Sequence, residues 1–165
     1  MNIFLCGSNE LTTLDQTEIK NFLSEYAHKH QIYVLCYKSI ENEVLRFFVE
    51  NERLAPNLYI YTLQPLHLLS DEFQDIVAYL KGQGAQFFSF NHPSEAIYRS
   101  EYMFFVKQII EDTDLVLCFY NGDKHTSVIP VDVAKEANTN AVIFDLPGLQ
   151  DHQERTGFEQ KMRIM

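Results

Sequence analysis

Positive charge is scarce in this chain and never gathers. Thirteen Lys and Arg stand against 23 Asp and Glu, for a formal net charge of −10, and the longest basic cluster is the pair Lys29, His30. A field of that sign repels DNA, RNA and anionic lipid surfaces unless a local patch overrides it, so neither nucleic acid nor membrane is expected as a partner. Long apolar runs are also missing: none approaches the ~20 residues needed to cross a bilayer. The start, MNIFLCGSNE, lacks the basic opening and the apolar stretch with a small-residue cleavage site that secretion requires, and a cytoplasmic location is expected. Cysteines are few and odd in number, Cys6, Cys36 and Cys118, without CxxC spacing, which argues against a disulfide framework and a standard zinc module. With no HxH or HExxH spacing either, neither a metal nor a cofactor is expected. Internal repeats and low-complexity tracts are absent.

What the chain does have is enough apolar material for one buried core: 165 residues, 46% hydrophobic, with 13 Phe and 9 Tyr. Short β-rich runs alternate with stretches of helical period. Strands are predicted at Asn2–Cys6, Ile32–Cys36, Leu58–Thr62, Gln86–Phe90, Leu115–Phe119 and Ala141–Asp145. Most are apolar throughout, as strands buried on both faces are. Helices are predicted over Gln16–His30, Glu41–Glu50, Ser70–Lys81, Glu95–Glu111 and Val128–Ala137, each with apolar residues at i, i+3, i+4 spacing. Ser94 is the expected N-cap of the fourth, and Pro130 fits the first turn of the fifth, where N–H groups have no intrahelical partner. The alternation implies an α/β, Rossmann-like, three-layer α/β/α fold with a mostly parallel sheet of about five or six strands. The expected domain is 1–146, followed by a polar tail, 147–165, either a short helix or loose.

Three strands, NIFLCG, IYVLCY and LVLCFY, share one ending. Ligands in open α/β sheets bind beyond the carboxyl ends of the strands, near the point where the chain switches direction. If the first strand lies between the second and fifth, Cys6 is flanked by Cys36 and Cys118 beneath such a pocket. Two readings follow, a soft-metal or redox cluster and small apolar filler, the usual fate of free cysteine.

The loops after the first and fifth strands carry the residue types that hold an anion. In CGSNELTT, Gly7 lets the backbone approach, and Ser8 and Asn9 offer donors; in YNGDKHTS, Gly122 makes the turn, Lys124 and His125 offer cationic or neutral donors, and Thr126 and Ser127 stand at a helix start. Turn and cap chemistry alone accounts for the same residues. The second loop, CYKSIENEVLRFF, has no glycine.

The order of these pieces resembles the SLOG superfamily, the Rossmann-like group that includes the DprA, lonely-guy phosphoribohydrolase and YpsA-like proteins, and more distantly the nucleoside 2-deoxyribosyltransferases. The most specific match is to the YpsA-like pattern, in Tyr98-Arg99, Tyr102 to Phe105, then Thr113-Asp114 and LVLCFYNG. The resemblance covers roughly Asn2 to Asp145. In the lonely-guy enzymes a Gly-Gly-x-Gly-Thr-x-x-Glu motif supplies a catalytic glutamate; matching Thr126 to its Thr puts Ile129 where that Glu falls. Isoleucine moves no proton and stabilises no charge.

The resemblance therefore implies binding of a nucleotide or nucleotide-derived small molecule without catalysis, through Gly7, Ser8, Asn9, Gly122, Lys124, His125, Thr126 and Ser127. One alternative is an N-glycosidic hydrolase or transferase acting on a nucleoside or nucleotide, with Glu10 and Asp114 as candidate acids. Another is a ligand-free interaction module: Met103, Phe104 and Phe105 are consecutive, and the surplus is expected either beneath the Ser70–Lys81 helix or in a homodimer contact, symmetric dimers being the commonest oligomers.

Overall fold

The structure, a computed structural model, describes residues 1–148 and the backbone of 162–164. Six strands, β1 (Asn2–Gly7), β2 (Gln31–Leu35), β3 (Leu58–Thr62), β4 (Gln86–Ser89), β5 (Leu115–Tyr120) and β6 (Asn140–Asp145), form a parallel sheet, and β7 (Met162–Ile164) adds an antiparallel edge to β6. The order is β4-β3-β2-β1-β5-β6-β7. The chain builds outward from β1 through β4, then returns to the other side of β1 at β5. That reversal places the switch point at the carboxyl ends of β1, β2 and β5, as expected from the sequence. Residues 162–164 of the expected tail thus contribute a strand; residues 149–161 and 165 lie outside the described residues.

Five helices cover the sheet: α1 (Thr13–Tyr26), α2 (Glu41–Glu50), α3 (Asp71–Gly82), α4 (Arg99–Ile110) and α5 (Ile129–Glu136). Alternate residues of each strand face opposite layers. Ile3 and Leu5 of β1 pack with Ile19, Leu23, Phe48, Val77 and Leu80 from α1, α2 and α3. Phe4 and Cys6 pack with Val106, Ile109, Val131 and Ala134 from α4 and α5. Both faces of β1 are therefore dry, which is why its sequence shows no polar alternation.

Three expectations are corrected here. The fourth helix begins at Arg99, not Glu95, and Tyr98, not Ser94, is its N-cap residue; the Glu101 carboxylate accepts the Tyr98 N–H at 2.9 Å. Ser94 instead serves the preceding loop, its hydroxyl accepting the Ala96 N–H. The α3 helix lies on the face opposite α4 and cannot cover Phe104, which is half exposed; Phe105 stacks on Phe90, with centroids 4.7 Å apart. The three cysteines do not meet. Cys6 and Cys118 are direct cross-strand partners, whereas Cys36 packs against the opposite core. A hydrogen bond to Cys118, together with burial, pushes the Cys6 thiol well up, and burial does the same for Cys36, so both stay protonated, as apolar filler does. Among the described residues no three His, Cys, Asp or Glu side chains are grouped to hold a metal, and no helix is long and apolar enough to cross a membrane.

Gly7 shows how closely β1 and β5 meet. Its φ of +150° lies in a region other residues rarely adopt, and a Cβ there would overlap the carbonyl oxygen of Phe119 on β5. Because that obstacle is backbone, it cannot swing aside. Gly7→Ala is expected to cost at least ~3 kcal/mol, read as a lower urea midpoint, whereas Gly82→Ala, with open space around the added carbon, should leave the midpoint at or above that of the parent.

Candidate functional site

The first and last loops converge above β1 and β5, and the space between them is filled from within. Asp123 places its carboxylate there. Its Oδ1 accepts from the Ser8 hydroxyl at 2.8 Å, the Ser127 hydroxyl at 3.0 Å and the Lys124 N–H at 2.7 Å. Its Oδ2 accepts from the N–H groups of Asn9 at 3.2 Å and Glu10 at 3.4 Å. The hydroxyls and amides that the sequence pattern offers to an anion therefore hold one already, supplied by the protein.

A second polar cluster anchors this arrangement. Asn121 is fully buried; its amide donates to the Glu10 carbonyl at 2.6 Å and to Asp15 at 2.9 Å, and its backbone N–H donates to the Ser8 hydroxyl at 3.0 Å. Asp15, also fully buried, accepts the Thr12 and Gly148 N–H groups at 3.0 and 2.8 Å. Thr12 returns the contact by accepting the Asp15 N–H, a capping box that starts α1. Ser39 ties in the second loop, accepting the Gly7 N–H at 2.9 Å.

Beside this network lies a cavity of about 280 Å³ at the switch point. Its walls come from three places: Tyr37 and Lys38 after β2, Ile97, Arg99 and Tyr102 at the start of α4, and Thr126 and Ile129 before and within α5. Two cations thus face two phenol rings, 5.7 Å apart between centroids, and one hydroxyl. Among the described residues no carboxylate lines it. Larger hollows, about 530 and 630 Å³, lie along α2, α3 and the turn after α2; their polar walls mix cations with carboxylates, Arg46 with Glu72 in one and Arg53 with Glu50 and Glu52 in the other. The volume at the switch point is just below the ~300–1,000 Å³ usual for ligand pockets, room for one nucleotide-sized group.

Lys38 occupies a position that usually asks for glycine. Its φ is +48°, in the left-handed region, and its ammonium lies over the Tyr37 ring, 5.2 Å from the centroid. Non-glycine residues in such conformations concentrate at binding sites. Tyr102 is held as a neutral phenol: burial first, then Cys6, Cys118, Glu41 and Tyr37 around it, push its pKa far above the ordinary 10.0. It can donate a hydrogen bond but cannot serve as a base near neutral pH.

Of the residues singled out from the sequence, Thr126 lines the cavity. Gly7 and Gly122, with φ of +150° and +84°, shape the loops, and Ser8, Asn9 and Ser127 bond to Asp123. Lys124 and His125 are exposed on the turn His125–Val128 and just before it; the Lys124 ammonium is 3.9 Å from Glu10. Glu10 is thereby drawn to the surface, outside the cavity lining. Asp114 stands at the other end of the sheet, before β5, where it accepts the Asn2 N–H at 2.8 Å. The two candidate acids therefore share no cleft. Tyr37, Lys38, Ile97 and Arg99 escaped notice as site residues. For Tyr37 and Lys38 the signal was the shared strand ending, which marks the loop after IYVLC as strongly as the other two; Ile97 and Arg99 follow β4, which lacks that ending.

This is a doubly wound Rossmann-like domain with its pocket at the switch point. The fold is similar to that of part of DNA processing protein A, DprA. A structure reported for the unique single-stranded DNA binding mode of DprA from Helicobacter pylori matches with a TM-score of 0.66 at 9% identity, over 92% of this chain and 67% of that one. The X-ray structure of DprA from Streptococcus pneumoniae matches with a TM-score of 0.62 at 11% identity, over 92% of this chain and 52% of that one. The chain spans about two thirds and about half of their lengths. No family model and no curated protein matches it. The first neighbour corrects the expectation that nucleic acid is excluded, since a protein of this fold binds single-stranded DNA. The physical reason is locality: charges farther than the Debye length, about 8 Å at physiological salt, are largely screened, so Lys38 and Arg99 count for more at this pocket than the total charge does.

The loop carrying Ile97 and Arg99 is fastened by His92, whose Nε2 lies 2.8 Å from Glu101. The hydrogen bond to Glu101 raises the His92 pKa above 6.5; the Tyr98 N–H, then His92, lower that of Glu101 below 4.5. A raised histidine contributes fully below 6.5 and fades as pH rises through its folded value; a lowered carboxylate contributes fully above 4.5 and fades as pH falls through its own. The loop is thus fastened best between pH 4.5 and 6.5. In an NMR titration His92 is expected to titrate above 6.5 and to return toward it in Glu101→Gln; an unmoved midpoint would refute the coupling. Asn121→Ala, which strips a donor from buried Asp15, is expected to lower stability by about 3 kcal/mol in urea denaturation.

Proposed function

We propose that the domain binds a nucleotide unit at the switch point, with its phosphate at Lys38, Arg99 and the Thr126 hydroxyl and its base against Tyr37 and Tyr102. The observation that carries this reading is the pairing of two cations with two aromatic rings in one cavity. Ammonium and guanidinium groups suit a phosphate, and ring faces suit a base regardless of its identity. Arg99 and Tyr102 also belong to the stretch that resembles the YpsA-like proteins. The loop residues Gly7, Ser8, Asn9, Gly122 and Ser127 then act at one remove, by holding Asp123 and the turn that presents Thr126, while Lys124 and His125 extend the rim.

Binding without turnover fits the lining better than glycosidic cleavage does. Ile129 is part of the wall, and neither Glu10 nor Asp114 reaches it, so the two carboxylates on which the cleavage reading rests are not supplied there.

A second reading, favoured by the Helicobacter pylori neighbour, is that the unit belongs to a single strand of DNA. Phosphodiester linkage and free nucleotide present the same groups to this cavity, and salt separates them: a strand held at several phosphates loses affinity steeply with added salt.

Calorimetric titration with nucleoside monophosphates and with a short oligothymidylate tests both. Lys38→Ala and Arg99→Ala are each expected to weaken binding about tenfold, as loss of a charge-assisted hydrogen bond does. Lys38→Ala should leave the urea midpoint near that of the parent, because the residue is exposed. Silence from every compound at high protein concentration would remove the reading.

A further inference from the structure

We propose that Asp123 sets the ligand class of this site, standing in for a phosphate so that the adjoining pocket accepts a unit carrying one phosphate and rejects di- and triphosphates. The inference rests on the nucleotide reading above and narrows it.

The hollow between the first and last loops has the makings of an anion cradle. Two consecutive backbone amides, Asn9 and Glu10, point into it with the Lys124 amide and the hydroxyls of Ser8 and Ser127. Convergent amides and hydroxyls of this kind hold phosphates. Here five donors surround one carboxylate, whose two oxygens offer about four lone-pair positions. The donors that point into the hollow are spent on Asp123, and the cation nearest it, Lys124, stands outside, 3.9 Å from Glu10.

Cradle and pocket share a wall. Ser127 turns its hydroxyl inward to Asp123, while Thr126, its neighbour, lines the cavity. A ligand whose first phosphate sits at Lys38, Arg99 and Thr126 and whose chain continues toward the cradle would bring its next phosphate to a carboxylate. That juxtaposition of like charges is repulsive in a partly desolvated cleft. Charge balance agrees: two cations line the pocket, and a monophosphate ester carries about −1.5 to −2 charges near neutral pH. A triphosphate would bring a surplus with no third cation in the lining.

The test has two arms. In the first, AMP, ADP and ATP are titrated into the parent, Asp123→Gly and Asp123→Asn, the last retaining an oxygen acceptor without the charge. The parent is expected to bind AMP about tenfold more tightly than ATP, by the cost of opposed like charges, with the preference lost or reversed in Asp123→Gly and reduced in Asp123→Asn. Equal affinity of the parent for AMP and ATP, or a ratio that neither substitution changes, overturns the proposal. If Asp123→Gly does not fold, Asp123→Asn decides.

The second arm uses inorganic phosphate and the NMR shifts of the Asn9 and Glu10 amides, which report the cradle whether or not any nucleotide binds. Both amides should stay still in the parent and move in Asp123→Gly or, failing that variant, in Asp123→Asn. Movement in the parent, or stillness in every folded variant, overturns the role given to Asp123. Stillness in the parent with movement in a variant, but no nucleotide bound by either, sinks the nucleotide reading and its ligand class while upholding that Asp123 fills the cradle.

Discussion

The arrangement of loops above β1 and β5 depends on one carboxylate in one place. Asp123 gathers donors from two loops more than a hundred residues apart in sequence and closes them over the ends of β1 and β5. Loops that meet above a sheet expose backbone amides that must find acceptors. In this chain the acceptor is built in, so the loops are organised before any ligand arrives.

The polar groups around it form a connected set and not a scatter of surface contacts. Asn121 links the Ser8 hydroxyl, the Glu10 carbonyl and Asp15, and Asp15 reaches Thr12 and Gly148. Such networks hold a geometry sharply when every member is satisfied and cost heavily when one is not. The pocket next door draws its rigidity from this, because Thr126 sits on the turn that Ser127 fastens. Its other walls are fixed separately, by the capping of α4 at Glu101 and by the His92 contact with the same carboxylate. Two independent anchors thus meet at one cavity.

A net charge of −10 and a pocket lined by two cations are compatible because they act over different distances. The total governs the far field and disfavours indiscriminate adhesion to polyanions. Within a cleft a few side chains decide. A negative body and a small cationic pocket can therefore coexist in one chain.

The strands were legible in the sequence because burial on both faces leaves an unbroken apolar run, and so NIFLC, IYVLC and LVLCF stand out whatever surrounds them. The switch point followed from the repeated strand ending, and Gly7 and Gly122 marked the turns, since few other residues take those backbone angles. The start of α4 was misplaced because Ser94 is as good a loop residue as a cap, and only the position of Glu101 relative to Tyr98 separates the two. Local chemistry also marked Ser8, Asn9 and Ser127 as donors, but not that they bond to Asp123. The charge of Asp123 alone argues against an anion site, and only its reach to those donors shows what it does there. Which acceptor fills a ring of donors, and whether Glu10 and Asp114 share a cleft, are questions of distance between residues far apart along the chain. Composition and periodicity carry no such distances; packing of the sheet and its two helical layers decides them.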